Sequence, residues 1–251
     1  MGAKPKVASY HPHHWEESCL VGTHGSGTIF FSSCNLACVY CQNWEISQLR
    51  KGEEIEEERL AKMMVELQNQ GCHNVNLVSP TIWAPQILKS LGFAIKRGLR
   101  IPLVYNTGGY DSLETLKLLD GVVDIYMPDI KYSENKIGLK YSLVSDYFDV
   151  AKKAVKEMHR QVGDLIIKNG LAIRGLLIRH LVLPNELAGT KKVMEFLAKE
   201  ISKNTYINIM DQYRPLYQAH EFPEIDRRTY RSEVNEVVEY AKKKGIQNLI
   251  G

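Results

Sequence analysis

Three cysteines dominate the chemistry this chain can offer: Cys34, Cys38 and Cys41, in the run Cys34-Asn35-Leu36-Ala37-Cys38-Val39-Tyr40-Cys41, with no fourth cysteine close by. Thiolates are preferred ligands of iron–sulfur clusters. A 4Fe-4S cluster held by three of them keeps one iron without a protein ligand, and that iron can bind a substrate or cofactor directly. The competing chemistry is structural zinc, with His24 or Cys19 completing a tetrahedral set in a noncatalytic binding or scaffolding domain. Structural zinc sites more often use paired cysteine clusters.

The elements around the cysteines say where such a group would sit. The β-type run Thr28-Ile29-Phe30-Phe31-Ser32 leads straight into the cysteine loop, which places that loop at the C-terminal end of a strand. Five further strands are expected: Val75 to Val78, Leu103 to Asn106, Asp124 to Met127, Leu176 to Leu183 and Tyr206 to Met210. Between them apolar residues recur at three and four, as in Leu60, Met63, Met64, Leu67 and in Val193, Phe196, Leu197, Ile201, the signature of amphipathic helices. The segment Tyr147 to Met158 carries Val150, Ala151, Ala154, Val155 and Met158 on one face, and a last helix near Thr229 to Lys243 carries Val234, Val237, Val238 and Ala241. Alternating strands and helices imply an α/β fold with a parallel sheet. Right-handed crossovers would curl six units into a partial (β/α)6 barrel, whose active face lies at the strand C-termini. Residues 27–251 are expected to form this core, closed by a C-terminal helix. Residues 1–26 read as an irregular N-terminal arm, and the acidic run Glu53 to Glu58 as the start and solvent face of a helix.

The cysteine spacing, with the aromatic Tyr40 before the last thiol, resembles the signature of the radical S-adenosylmethionine superfamily. The resemblance extends from about Gly27 to Gln212. Within that superfamily the chain is most similar to the activating enzymes of pyruvate formate-lyase and their uncharacterised relatives, through Gly25-Ser26-Gly27-Thr28-Ile29-Phe30-Phe31 before the cysteines and Cys41-Gln42-Asn43 after them. The resemblance implies a partial barrel of the radical S-adenosylmethionine type. It also implies a 4Fe-4S cluster on Cys34, Cys38 and Cys41, S-adenosyl-L-methionine on the open iron, and a 5′-deoxyadenosyl radical that abstracts hydrogen from a substrate.

Residue by residue, the resemblance nominates cofactor contacts. Tyr40 adjoins the last cysteine. Asn106-Thr107-Gly108-Gly109 is similar to the activases' Thr-Asn-Gly turn, which nominates Asn106. Pro128-Asp129-Ile130-Lys131 resembles their Asp-x-Lys element, which nominates Asp129 and Lys131. Where the family has Gly-Gly-Glu-Pro, this chain has Ser79-Pro80-Thr81-Ile82; Ser79 and Thr81 could still present backbone carbonyls, with the Thr81 hydroxyl as a further acceptor. Arg179-His180-Leu181-Val182-Leu183-Pro184 looks like an activase strand. Alternation lets only one of Arg179 and His180 face the barrel, and His180 is the candidate contact, with the orientation of the pair left open. Met210-Asp211-Gln212-Tyr213-Arg214-Pro215 nominates Gln212, with Arg214 behind it.

Composition bounds the rest. A chain of 251 residues with 44% hydrophobic content can bury one sizeable core. A net charge of +3 is too small to make nucleic acid or an anionic membrane an expected partner. No apolar stretch is long enough to span a bilayer, so a cytoplasmic protein is expected. Five cysteines, three of them clustered, fit a reducing compartment. Cys19 and Cys72 read as small buried hydrophobes, too few for a second cluster, which separates the chain from activases bearing an inserted ferredoxin-like domain. His11, His13 and His14 with Glu16 and Glu17 form a potential metal cluster in the arm, where a loose polar segment is the plainer expectation. The expected partners are a reduced flavodoxin or ferredoxin as electron donor and a substrate such as a glycyl-radical enzyme, with another protein, peptide or small molecule as the alternative target.

Overall fold

The computed structural model describes residues 2–250. The chain begins with strand β1 (Lys6–His13), the four-residue helix α1 (Ser18–Val21) and strand β2 (Ser26–Phe31). A short helix α2 (Trp44–Ser47) follows the cysteine loop, and β3 (Glu53–Glu54) leads into α3 (Glu57–Asn69), β4 (Val75–Val78) and α4 (Ala84–Lys96). Next come β5 (Leu103–Thr107), α5 (Leu113–Leu118), β6 (Ile125–Pro128), α6 (Asn135–Ser142) and α7 (Tyr147–Val162). The last third holds β7 (Ile166–Lys168), β8 (Leu171–Leu181), α8 (Thr190–Phe196), β9 (Tyr206–Met210), α9 (Arg231–Lys243) and β10 (Asn248–Ile250).

The six strands expected from sequence are β2, β4, β5, β6, β8 and β9. They pair in that order, all parallel, and β10 adds a seventh parallel strand beside β9. The sheet order β10-β9-β8-β6-β5-β4-β2-β1-β3 has two free edges, so the barrel is partial, as expected. Two expectations need correction. The expected arm, residues 1–26, is not irregular over its described residues 2–26: Lys6–His13 is a strand antiparallel to β2, and α1 packs against β8. Its alternation was masked because both faces carry polar residues: Tyr10 turns outward to Arg59 and Glu66, while His11 and His13 turn to Phe30. The acidic run is likewise split, since Glu53 and Glu54 pair with β1 and the helix begins only at Glu57.

Alternation along the strands sorts side chains into two layers. Outward-facing Ile29, Phe31, Val75, Leu77, Tyr105, Tyr126, Leu176, Ile178, Ile207 and Ile209 meet the apolar stripes of the surrounding helices in one continuous core. Leu60, Met64 and Leu67 of α3 are fully buried there, each contributing roughly 2 kcal/mol relative to exposure. Inward-facing Val104, Ile125, Met127 and Leu177 close the lower barrel together with Leu20 and Cys19 of α1. Above them the interior turns polar, and there the cavity begins.

Candidate cluster and cofactor site

The cysteine loop leaves β2 through Ser33, whose φ is +70°, and is clamped from three directions. The amides of Ala37 and Val39 donate to the carbonyls of Ser142 and Tyr141 at the end of α6 (3.2 and 2.9 Å), the Asn35 amide donates to the Tyr110 carbonyl (2.6 Å), and the Gln218 amide to the Val39 carbonyl (2.9 Å). The sulfurs have their own partners. The Leu36 N–H donates to Cys34 Sγ (3.4 Å), Ser142 Oγ lies 3.0 Å from Cys38 Sγ and Ser47 Oγ 3.2 Å from Cys41 Sγ. From Ser142 the chain of hydroxyls continues to Tyr132 (2.8 Å) and Tyr40 (2.7 Å).

Cys34, Cys38 and Cys41 line one cavity of about 620 Å³. Burial pushes the Cys38 thiol up to about 12, opposed by Lys131 and the Ser142 hydroxyl; burial also raises Cys34, opposed by the Leu36 N–H and Lys131. Each of these two thiols is raised further by its neighbours in the trio, so positive charge placed among them would favour the thiolate forms. The donor set therefore fits an iron–sulfur cluster: soft ligands, mutually close, facing a cavity, with N–H and O–H donors already turned to the sulfurs. Neither residue that could complete a closed zinc site, Cys19 or His24, adjoins the trio. Among the described residues no three His, Cys, Asp or Glu side chains converge as ligands of one ion, whereas a cluster spreads its thiolates over separate irons. Cys19 lies in the lower barrel and His24 on the surface beside His73, 5.5 Å between rings. The same absence applies to His11, His13, His14, Glu16 and Glu17.

A second wall of the cavity is a charged trio. Asp129 Oδ2 accepts from Lys131 Nζ (2.6 Å) and Oδ1 from Arg179 Nε (2.9 Å), and Arg179 Nη2 donates to Asn106 Oδ1 (2.8 Å). Burial alone would raise Asp129, but Lys131 and Arg179 outweigh it and hold the carboxyl at about 2. Lys131 is held protonated, its burial outweighed by Asp129. Tyr147 ties the neighbouring loops together: its hydroxyl accepts from the Lys131 N–H (2.8 Å) and lies 2.8 Å from the Gly108 carbonyl and 3.0 Å from that of Asp129. Gly109 permits this closeness, because its φ is +75° and a Cβ there would fall 2.1 Å from the Asp129 carbonyl oxygen.

Of the nominated residues, Tyr40, Ser79, Asn106, Asp129, Lys131 and Gln212 line the cavity with the three cysteines. Ser79 does so in a left-handed conformation (φ +58°), its N–H donating to the Asn106 carbonyl (2.9 Å). That is where the family pattern has glycine. Two nominees lie elsewhere. Thr81 opens a 3-10 turn and its hydroxyl donates to the buried Asp111 (2.8 Å) beside Thr107 (3.0 Å). His180 faces outward and is completely buried: Nδ1 lies 2.5 Å from the Ile130 carbonyl and Nε2 2.8 Å from the Thr190 hydroxyl. Burial lowers its pKa to about 4, so the ring is neutral, with Nδ1 protonated to suit the carbonyl. Arg179 is the one that enters the cavity. An apolar run with no internal polar rhythm hid this parity, which follows once Leu177 and Leu181 are known to face inward. Glu16, read from the sequence only as part of a loose polar arm or metal cluster, is a cavity residue; it lines the floor and accepts from Arg179 Nη1 (3.3 Å).

The Radical SAM superfamily model matches residues 28–197. An uncharacterised protein of Methanocaldococcus jannaschii is 38% identical over 241 residues, which cover 92% of this chain and 65% of the relative. Among solved structures, Streptococcus suis SuiB bound to precursor peptide SuiA superposes with a TM-score of 0.59 at 12% identity, covering 87% of this chain and 47% of that one. The enzyme anSMEcpe with bound AdoMet and Cp18Cys peptide gives 0.58 at 14%, covering 87% and 60%. HydG, a maturase of the FeFe-hydrogenase, gives 0.58 at 13%, covering 87% and 49%. These likenesses concern the fold, and the chain spans less than two thirds of each of these proteins. The family match covers more than half of the chain and takes in the cysteine loop and strands β4, β5, β6 and β8: the chain belongs to the radical SAM superfamily, whose members cleave S-adenosylmethionine for radical chemistry.

Proposed function

We propose that Cys34, Cys38 and Cys41 hold a 4Fe-4S cluster and that the cavity beside them is the reaction chamber of an enzyme that abstracts hydrogen from an extended peptide or protein segment. The observation that carries this reading is the meeting of three thiols, one buried and two half-buried, and the Asp129–Lys131–Arg179 trio in one cavity at the strand C-termini. When bound, the cluster would deliver one electron to the sulfonium of S-adenosylmethionine, releasing the adenosyl radical that takes the hydrogen.

The protein's own residues hold and shield. Ser79, Asn106, Asp129 and Lys131 offer a carbonyl, an amide, a carboxylate and an ammonium to the polar groups of the cofactor, Tyr40 packs behind the cysteines, and Gln212 stands at the rim. Arg179 replaces His180 among the proposed contacts, and Thr81 supports the wall through Asp111. A peptide-like substrate is favoured because the barrel is open between its two sheet edges and two proteins of similar fold, SuiB and anSMEcpe, were solved with peptides bound. A glycyl-radical enzyme is one such target, and a reduced flavodoxin or ferredoxin the fitting electron donor.

Anaerobic reconstitution tests the assignment. About four irons and four sulfides per chain are expected, with 5′-deoxyadenosine formed under dithionite. Cys38→Ala should abolish both, while Cys19→Ala should leave the iron content unchanged. One zinc per chain and no cleavage of S-adenosylmethionine would overturn it.

A further inference from the structure

Below the charged trio, the segment Glu16-Glu17 crosses the barrel interior. Glu17 Oε1 accepts from Asn208 Nδ2 on β9 (2.8 Å), and Glu16 reaches Arg179 on β8 while facing the cavity. On the other side stands Asn76 of β4, completely buried and inward-facing between the outward Val75 and Leu77. Its nitrogen is turned to the Glu16 carboxyl, but its amide oxygen has no hydrogen-bond partner in the structure; Glu17 Oε2, also buried, has none either. A buried polar group left unpaired costs about 1–3 kcal/mol, so this floor is shaped for something that supplies hydrogen bonds.

Charge says what. Three carboxyl groups, Glu16, Glu17 and Asp129, outnumber two cations, Arg179 and Lys131, and burial together with the two neighbouring acids pushes Glu16 up against the pull of Arg179, so the floor is short of positive charge. Water would satisfy the hydrogen bonds but not the charge. A carboxylate or phosphate would deepen the shortage. A compact cation with several N–H donors meets both needs, since an ammonium has three donors and no acceptor.

We propose that the barrel floor is a binding site for a primary ammonium group of the substrate, received by Glu16 and by the unpartnered oxygens of Asn76 and Glu17. That the ammonium belongs to the substrate rests on the cavity being the reaction chamber; the preference of the floor for a cation does not. A free amino terminus, a lysine side chain or an amine would each present this group, with the carbon to be attacked held higher in the cavity.

The test uses n-butylammonium as probe, with n-butanol and butyrate as matched controls, on the anaerobically reconstituted, S-adenosylmethionine-loaded protein. Binding is followed by saturation-transfer NMR. Butylammonium should bind at least about tenfold more tightly than butanol, and butyrate should bind no better than butanol. Glu16→Gln should remove that preference. Asn76→Leu, similar in volume and free of the polar atoms, should weaken butylammonium while leaving butanol unchanged; circular dichroism and iron content report whether each variant is folded. Equal binding of butylammonium and butanol, tighter binding of butyrate, or undiminished butylammonium binding by folded Asn76→Leu would overturn the proposal. Formation of 5′-deoxyadenosine, measured in parallel on the wild type, tests the enzymatic reading separately.

Discussion

Asp129 and Arg179 are joined twice: their backbones form a parallel β-bridge where β6 ends beside β8, and their side chains form an ion pair with Nε 2.9 Å from Oδ1. The strand register thus delivers the guanidinium to the carboxylate. Arg179→Met should destabilise the protein by about 3 kcal/mol, because it strands Asp129, Glu16 and Asn106 in a buried setting. Arg179→Lys should recover only part of the loss, since one ammonium cannot reproduce the planar fork that reaches all three acceptors. Denaturant midpoints at constant m-value check both. Asp129→Ala should additionally lower affinity for S-adenosylmethionine while leaving iron content intact, as measured by equilibrium dialysis.

The hydrogen bond between Ser142 and Cys38 gives an electrochemical prediction. A hydroxyl donated to a cluster sulfur stabilises the reduced, more negative state, so Ser142→Ala should lower the reduction potential of the reconstituted cluster. Losing about 1 kcal/mol of differential stabilisation corresponds to about 40 mV for one electron. A potential unchanged or raised in an EPR-monitored titration would place Ser142 outside the cluster's hydrogen-bond shell.

His180 should impose a pH dependence on stability. Its folded pKa lies near 4 against 6.5 for the free side chain. Between those values the unfolded chain binds a proton that the folded chain refuses, so stability falls as pH drops from 6.5 towards 4, by up to about 3 kcal/mol, and this contribution levels off below 4. His180→Gln should flatten the slope of unfolding free energy over that interval, measured on the metal-free chain. An unaltered slope would show that the ring is not held neutral.

Gly109→Ala should destabilise by about 3 kcal/mol, through the left-handed backbone and the collision with the Asp129 carbonyl. Gly98→Ala is the reference, since that glycine shares the positive φ but has open space around it; it should cost much less in thermal melts.

Much of the scaffold was legible in the chain. The six parallel strands and the stripes of α3, α7 and α9 came from periodicity, because strands buried on both faces read as apolar runs and their helices as repeats at three and four. The cysteines were legible from spacing. What escaped depends on pairing across the fold. β1 has polar residues on both faces and owes its structure to β2, and the parity that turns Arg179 inward and His180 outward becomes apparent only in register with β6 and β9. Thr81 carries a plausible acceptor, but the buried Asp111 30 residues away claims it. Glu16 has no local signal, because its role comes from a crossing of the barrel that ends on strands far along the chain.

That crossing has a consequence for how the molecule comes together. Glu17 meets Asn208 across 191 positions, and Glu16 meets Arg179 across 163. During synthesis the acidic pair therefore stays without its partners until the segment carrying β8 and β9 has been made. Loop closure over such separations is slow, so Glu16 and Glu17 should settle late and, in a half-made chain, offer a ready target for proteolysis.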